Sequence, residues 1–118
     1  MTTDGVAESQ RYVGVSWLLP QRRNGYLRLH ASVWPSVVTA TRASNIRNHS
    51  IFVADDLLVS YYEYVGTDLD ADLELLQSNP VMQRRWSLTD PCQRPLGVAR
   101  SETAGSRWLA LREILHQP

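Results

Sequence analysis

Hydrophobic and polar positions along the chain change their period several times, and each change predicts a different secondary-structure element. Over residues 12–19, aromatic and β-branched residues predict a strand that ends at Pro20. From residue 26 to about residue 43, apolar residues recur every three or four positions, which predicts one amphipathic helix. The remaining predicted elements are, in chain order, a strand over 48–53, a turn at Asp55 and Asp56, a strand over 57–65, a helix capped by Thr67, a short helix begun by Asn79 and Pro80, a loop over 91–106 and a strand over 108–115.

The order of these elements is β-α-β-β-α-β, which is typical of an α+β, ferredoxin-like fold. We expect a four-stranded antiparallel sheet with the helices on one face, in a single domain over 11–118 that follows a flexible tail over 1–10. The predicted strands carry apolar side chains on both faces, whereas two helices cover only one face. A second copy of the sheet is the simplest cover for the other face, so the pattern predicts a homodimer joined through its sheet faces.

Charge and composition narrow the range of partners and compartments. The 12 basic and 12 acidic residues leave no net charge, which argues against nucleic acid or an anionic membrane as the main partner. The single cysteine excludes an internal disulfide and a zinc site built from cysteines. The chain has no apolar run of about 20 residues and no signal-peptide pattern at its start, so we expect a cytoplasmic protein.

One stretch of the predicted long helix carries unusual chemistry. His30 lies near the middle of its apolar face, with Tyr26 four residues before it and Trp34 four residues after it. A histidine in this position is either a hydrogen-bonded core residue or an acid/base group between hydrogen-bonding and stacking partners. Pro35 follows directly, and it either kinks the helix beside His30 or begins a second helical segment.

Four segments of the chain resemble, in order, the pattern of the L-rhamnose mutarotase family. They are YLRLHASVWP, RNHSIF, LLVSYYEY and NPVMQRRW, and the resemblance covers residues 12–115. Its most specific parts are the runs Tyr-x-x-x-His-x-x-x-Trp-Pro and Gln-Arg-x-Trp. The resemblance implies a dimeric α+β barrel whose pocket holds a pyranose sugar as a small-molecule substrate, with no metal ion and no cofactor.

The resemblance also implies roles for individual residues. Tyr26 and His30 match the pocket tyrosine and the catalytic histidine of the family, and Trp86 matches a tryptophan that packs against the sugar. The predicted catalytic residues are therefore His30 and Tyr26, and the predicted substrate-binding residues are Trp86, His49, Arg85 and Trp34.

The chain departs from the family pattern at three pocket positions, which leaves its substrate open. His49 stands where the family has a tyrosine, Arg85 where it has a tryptophan, and Ser36 where it commonly has a glutamate. The leading hypothesis is a mutarotase-like isomerase in which His30 opens and closes an L-rhamnose-type pyranose ring by general acid/base catalysis. The alternative enzyme is a cyclase or isomerase of a polyketide-like or other secondary metabolite in the same barrel, with His49 and Arg85 as adapted pocket residues. A third hypothesis is a binding or dimerisation module without catalysis.

Overall fold

A computed structural model of the chain describes residues 10–96 and 107–118. Its strands are β1 (Gln10–Leu18), β2 (Ile46–Ala54), β3 (Leu57–Tyr64), β4 (Gln93–Arg94) and β5 (Leu109–Leu111). Its helices are α1 (Arg23–Ala31), α2 (Pro35–Ala43), α3 (Leu69–Gln77) and α4 (Pro80–Thr89), with single 3₁₀ turns at Pro20–Arg22 and Asp90–Cys92. This order confirms the ferredoxin-like α+β fold. The tail predicted over 1–10 lies outside the described residues except for Gln10, which begins β1.

The strands form one antiparallel sheet in the order β2-β3-β1-β4, with β5 also paired to β1. The last strand, predicted over 108–115, is reduced to Leu109–Leu111, and part of the predicted loop over 91–106 forms β4 instead. Both short strands pair with the same edge of β1, β5 in its middle and β4 at its end. Together they therefore fill the fourth position of the sheet, while residues 97–106 lie outside the described part of the chain.

The single helix predicted over 26–43 is wrong, because α1 ends at Ala31 and α2 begins at Pro35. Trp34 has extended backbone angles (φ −63°, ψ 136°), which the ring of a following proline favours. Pro35 lacks a backbone N–H and occupies the start of α2, where that donor would have no helical partner. Pro35 thus begins a second helical segment, which was one of the two interpretations of the sequence. Trp34 consequently does not share a helix with His30.

The next two helices begin at side chains that bind their free backbone N–H groups. Asp68, and not the predicted Thr67, caps α3, because its carboxylate accepts a hydrogen bond from the first turn at 3.1 Å. Asn79 caps α4 as predicted, accepting from the N–H of Val81 at 2.8 Å, with Pro80 at the first helical position. The prediction was therefore correct for α4 and displaced by one residue for α3.

The helices cover one side of the sheet, here called the helix face, which carries Leu18, Ile46 and Leu58. Two clusters of buried residues lie there: the first is Leu18, Tyr26, Leu58 and Cys92, and the second is Val37, Ile46, Leu76 and Met82. Strand residues that alternate with these point to the other side, here called the open face. Its apolar members include Val13, Val15, Trp17, Phe52, Leu57, Val59, Leu109 and Leu111. The sheet thus carries apolar side chains on both faces.

A polar network fixes the junction between β3 and α3. The hydroxyl of Tyr64 donates to a carboxylate oxygen of Asp72 at 2.5 Å, and the side-chain amide of Asn45 donates to the same oxygen at 3.0 Å. These two hydrogen bonds lower the pKa of Asp72. A Cβ atom on Gly66 would lie 2.6 Å from the Cζ of Tyr64 and 2.8 Å from the amide nitrogen of Asn45. Only glycine therefore fits beside this network.

Replacing Gly66 by alanine should lower the free energy of unfolding by about 1–3 kcal/mol, because the added methyl group displaces Tyr64 from Asp72. Gly25→Ala is the matched control, since its Cβ would meet its nearest neighbour at 4.0 Å and α1 would gain up to about 1 kcal/mol. Urea unfolding of both variants measures the difference. Equal stabilities of the two variants would contradict this account of Gly66.

Candidate functional site

His30 lies in the last turn of α1, half-buried, with one of its ring nitrogens already engaged. The Nδ1 atom is 2.9 Å from the backbone carbonyl oxygen of Tyr26, which can only accept a hydrogen bond. The neutral imidazole must therefore carry its proton on Nδ1, and Nε2 keeps a lone pair. The rings of His30 and Tyr26 pack with centroids 4.3 Å apart. The i, i+4 spacing read from the sequence thus brings these two residues together.

The side chain of Tyr26 belongs to the core as well as to this site. It is 2% exposed and packs in the first core cluster. Burial is the main reason why the pKa of Tyr26 lies well above its ordinary value, so the hydroxyl stays protonated. Tyr26 holds His30 through its carbonyl group and its ring. A direct catalytic role for the Tyr26 hydroxyl stays a prediction.

Arg85 ties α4 to the end of α1. Arg85 is 5% exposed, and its Nη2 donates to the carbonyl oxygen of Leu29 at 2.9 Å. Carbonyl groups in the last turn of a helix have no helical donor, and the helix dipole favours a positive charge there. The Nη1 atom is also buried and has no hydrogen-bond partner among the described residues. The contact with Leu29 sets the position of the residue next to His30, so Arg85 fixes the end of α1 that carries the imidazole.

The two predicted tryptophans border this junction of helices. The guanidinium of Arg85 lies 5.7 Å from the ring centroid of Trp34, a cation–π contact. Trp34 and Trp86 are both half-buried and pack against the second core cluster. Each therefore keeps part of an aromatic surface open. Both therefore lie beside Arg85: Trp34 contacts its guanidinium, and Trp86 is the next residue along α4.

His49 reaches the helix face through a β-bulge in β2. The register of β2 on β3 shifts by one residue, so that Asn48 and His49 both lie opposite Tyr62. Asn48 adopts a left-handed backbone conformation (φ 53°), and its side-chain amide donates to Glu63 at 3.0 Å. The ring of His49 meets the ring of Tyr62 edge-on, with centroids 6.5 Å apart. The bulge therefore turns Asn48 to the open face and His49 to the face that holds His30.

The charge of His30 acts on the imidazole of His49. His49 is exposed to solvent but closely surrounded by protein, and this desolvation lowers its pKa, as does the charge of His30. Burial also lowers the pKa of His30; the Tyr26 carbonyl opposes this effect and the charge of Arg85 adds to it. Both imidazoles are therefore mostly neutral at pH 7. His49 thus lies on the side of the sheet that the helices cover, within electrostatic reach of His30.

The sequence did not point to three aromatic residues that lie near His49 or Tyr26. Tyr62 contacts His49 and stacks on Tyr12, with centroids 5.2 Å apart, and Trp108 packs against the first core cluster. Tyr12 and Tyr62 are paired across β1 and β3, so only the register between these strands brings them together. Trp108 packs beside Gly14, and a Cβ added to Gly14 would lie only 3.2 Å from the Cβ of Trp108. A glycine within the predicted first strand was the available signal.

Together these side chains can transfer protons and hold a ligand with both polar and apolar surface. The site offers two neutral imidazoles, one of them with a fixed tautomer, beside a buried cation and half-buried aromatic rings. In the part of the chain that the structure describes, no group of three His, Cys, Asp or Glu residues could hold a metal ion. A surface cleft between α2 and α3, lined mainly by small and polar residues, shares no residue with this site.

Comparison with known proteins places the chain in a family. Residues 11–117 match the family model described as L-rhamnose mutarotase. The chain belongs to the L-rhamnose mutarotase family. This confirms the resemblance stated from the sequence and the prediction of an isomerase-type enzyme.

Curated relatives of the chain carry the same family name. It is 31% identical over 90 residues to an L-rhamnose mutarotase of Burkholderia cenocepacia (strain HI2424), which covers 70% of this chain and 84% of the relative. It is 24% identical over 85 residues to an L-rhamnose mutarotase of Listeria monocytogenes serotype 4b (strain F2365), which covers 72% of this chain and 81% of the relative. The matched region includes most of the length of each relative.

Two solved structures share the fold. The L-rhamnose mutarotase of Formosa agariphila superposes with a TM-score of 0.67 at 16% identity, covering 92% of this chain and 99% of that chain. The tetracenomycin F2 cyclase of Streptomyces glaucescens, a type II polyketide cyclase, gives the same TM-score at 15% identity, covering 92% and 97%. At these identities the likeness is one of fold, and it confirms the fold class expected from the sequence. Within the described residues, no helix is long and apolar enough to cross a membrane.

Arg85→Met should raise the pKa of His30, because it removes a positive charge that disfavours the imidazolium form. Titration of the His30 ring signals by NMR measures the shift. Arg84→Met is the matched control, since Arg84 is the exposed neighbour on α4 and does not act on His30. A His30 pKa that stays the same in both variants would contradict the placement of Arg85 beside this site.

Proposed function

We propose that this chain catalyses the mutarotation of an L-rhamnose-type pyranose, with His30 as a proton-transfer residue. The observation that carries the proposal is the hydrogen bond from His30 Nδ1 to the Tyr26 carbonyl, which leaves the lone pair of Nε2 for a ligand. Membership of the L-rhamnose mutarotase family supports a sugar as substrate. The lowered pKa of His30 supports its action as a base near neutral pH.

Mutarotation moves protons between neutral oxygen atoms, which suits an imidazole. In ring opening, the anomeric hydroxyl loses a proton and its oxygen becomes the aldehyde oxygen. The bond between the anomeric carbon and the ring oxygen breaks, its electron pair goes to the ring oxygen, and that oxygen gains a proton. Rotation of the aldehyde and the reverse steps give the other anomer. The Nε2 atom of His30 takes and returns a proton in these steps, which is worth about 10²–10⁴-fold in rate.

The other predicted residues would bind the sugar. A pyranose has hydroxyl groups around its rim and apolar C–H surface on its faces, and half-buried aromatic rings suit the latter. We assign the aromatic surface to Trp86 and Trp34, which border the junction of α2 and α4. Arg85 holds Trp34 and the end of α1, so it acts on binding through its neighbours. His49 lies within reach of solvent and can contact a sugar hydroxyl.

We propose in addition that two copies of the chain associate through their open faces. Phe52 on this face is 60% exposed, and it lies in a row with Val59 and Val15 across three strands. Val15 is already buried within one chain, so the area removed from water by a dimer comes from Phe52 and the exposed part of Val59. Its burial in both copies favours association, because burial of apolar surface contributes roughly 25 cal/mol per Å². A stable sheet-to-sheet interface would remove more than about 1,200 Å² in total from water.

The other hypotheses drawn from the sequence have less support. The likeness to a polyketide cyclase is one of fold at 15% identity, whereas the match to the L-rhamnose mutarotase family extends over residues 11–117 of the sequence. We therefore prefer a sugar substrate to a polyketide. A cytoplasmic location stays a prediction.

His30→Gln should lower the rate of anomer exchange of L-rhamnose by about 10²-fold or more, because glutamine keeps the size but cannot take up a proton. Exchange NMR of the two anomers measures this rate, and thermal unfolding shows whether the variant is folded. His116→Gln is the matched control, since His116 is exposed outside the site and should leave the rate unchanged. A folded His30→Gln variant with the parent rate would contradict the proposed role of His30 in proton transfer.

Phe52→Glu should raise the dimer dissociation constant by at least tenfold, because it places a charge in an apolar interface. Light scattering over a range of protein concentrations gives this constant. Leu75→Glu is the matched control, since Leu75 is 59% exposed but lies on α3, away from the open face. A parent protein that is monomeric at micromolar concentration would reject the dimer.

A further inference from the structure

We propose that His49 is a second catalytic residue that shares one proton with His30 and moves it during ring opening and closure. This inference rests on the proposed mutarotation, in which one proton leaves the anomeric hydroxyl and one reaches the ring oxygen. Two groups can make both transfers at once, one as base and the other as acid. His30 alone can serve as only one of them at a time, because its Nδ1 proton is held by the Tyr26 carbonyl and Nε2 is the single nitrogen left for proton transfer.

The other polar groups around His30 are poorly suited to be the second proton donor. The Tyr26 hydroxyl belongs to a side chain that is 2% exposed, and burial raises its pKa further. The Nη2 atom of Arg85 donates a hydrogen bond to the carbonyl of Leu29, and a guanidinium does not lose a proton near neutral pH. Both residues hold His30 in place instead.

His49 has the geometry that these groups lack. The bulge turns it to the helix face, and the hydrogen bond from Asn48 to Glu63 on the open face keeps the bulge in that direction. The edge-on contact with Tyr62 supports the ring on one side. No side-chain hydrogen bond within the described residues engages either ring nitrogen of His49, and the side chain is exposed to solvent. It can therefore both give and take a proton.

The pair returns to its starting charge in each catalytic cycle. With one proton on the pair, the protonated imidazole gives it to the ring oxygen while the bond to the anomeric carbon breaks. The neutral imidazole takes the proton of the anomeric hydroxyl, whose oxygen becomes the aldehyde oxygen. The proton has then moved from one imidazole to the other, and ring closure on the opposite face reverses both transfers. No metal, cofactor or solvent proton is needed to balance the reaction.

Electrostatics favour a single proton on the pair over two. The charge of His30 disfavours protonation of His49, and Arg85 disfavours protonation of His30. The titratable groups that face the pair from the sheet and from α1 are Tyr62 and Tyr26, and both stay neutral in this range because burial raises the pKa of each. The fully protonated pair lacks a base and the fully neutral pair lacks an acid. The rate should therefore pass through a maximum at acidic pH.

The first test compares the parent protein with His49→Gln by exchange NMR of L-rhamnose between about pH 5 and pH 8. We expect His49→Gln to lower kcat by about 10²-fold with KM within a few-fold, and to replace the bell-shaped profile by a single acid limb. The exposed position of His49 means that the variant should melt like the parent. His116→Gln should keep both limbs. A His49→Gln variant that keeps the parent kcat or a two-limbed profile overturns the proposal.

The second test does not depend on turnover. NMR titration of the imidazole signals should show that His30→Gln raises the pKa of His49, because it removes the charge that opposes protonation. An unchanged His49 pKa means that the two residues share no proton, and it overturns the inference whatever the activity. A parent protein that fails to speed anomer exchange while the His49 pKa still shifts rejects the proposed function and leaves the proton-sharing pair in place.

Discussion

The end of α1 is the constraint on which the site depends. Pro35 cannot continue a helix from Trp34, so α1 stops at Ala31 and its last carbonyl groups lose their helical donors. Arg85 of α4 satisfies one of them at Leu29, and the helix dipole makes its positive charge favourable there. The end of α1 is therefore also the point where α4 packs against it.

The same contact sets the chemistry of His30. Arg85 lies under Trp34 and close enough to His30 to disfavour its protonation, while the Tyr26 carbonyl fixes the tautomer. The tautomer of one imidazole thus follows from Tyr26 on α1, and its charge state depends in part on Arg85 on α4. Tyr26 and Arg85, which position His30, are buried, whereas the ring of His30 itself is half-buried and keeps one nitrogen free. A rigidly held imidazole with a free nitrogen suits general acid/base catalysis.

The two faces of the sheet carry different side chains. Its helix face carries His49 and packs against the core clusters and α1, whereas its open face carries an apolar row that includes Phe52. The bulge at Asn48 serves both faces, because it binds Glu63 on one and presents His49 on the other. A one-residue shift in strand register would exchange the two faces, so this pairing also decides that His49 lies on the helix face.

The sequence by itself determined the order of strands and helices, the Asn79 cap and the meeting of Tyr26 with His30, because period, capping and i, i+4 spacing are local. It showed that Pro35 disturbs a helix but not whether the helix bends or stops, since both satisfy the local geometry. Only the tertiary structure decided that Arg85 binds the end of α1, that Trp108 and Tyr62 border the site, and that the last strand is split. These features depend on which elements pack together. Contacts between residues far apart in the sequence produce no periodic pattern of hydrophobic positions from which they could be predicted.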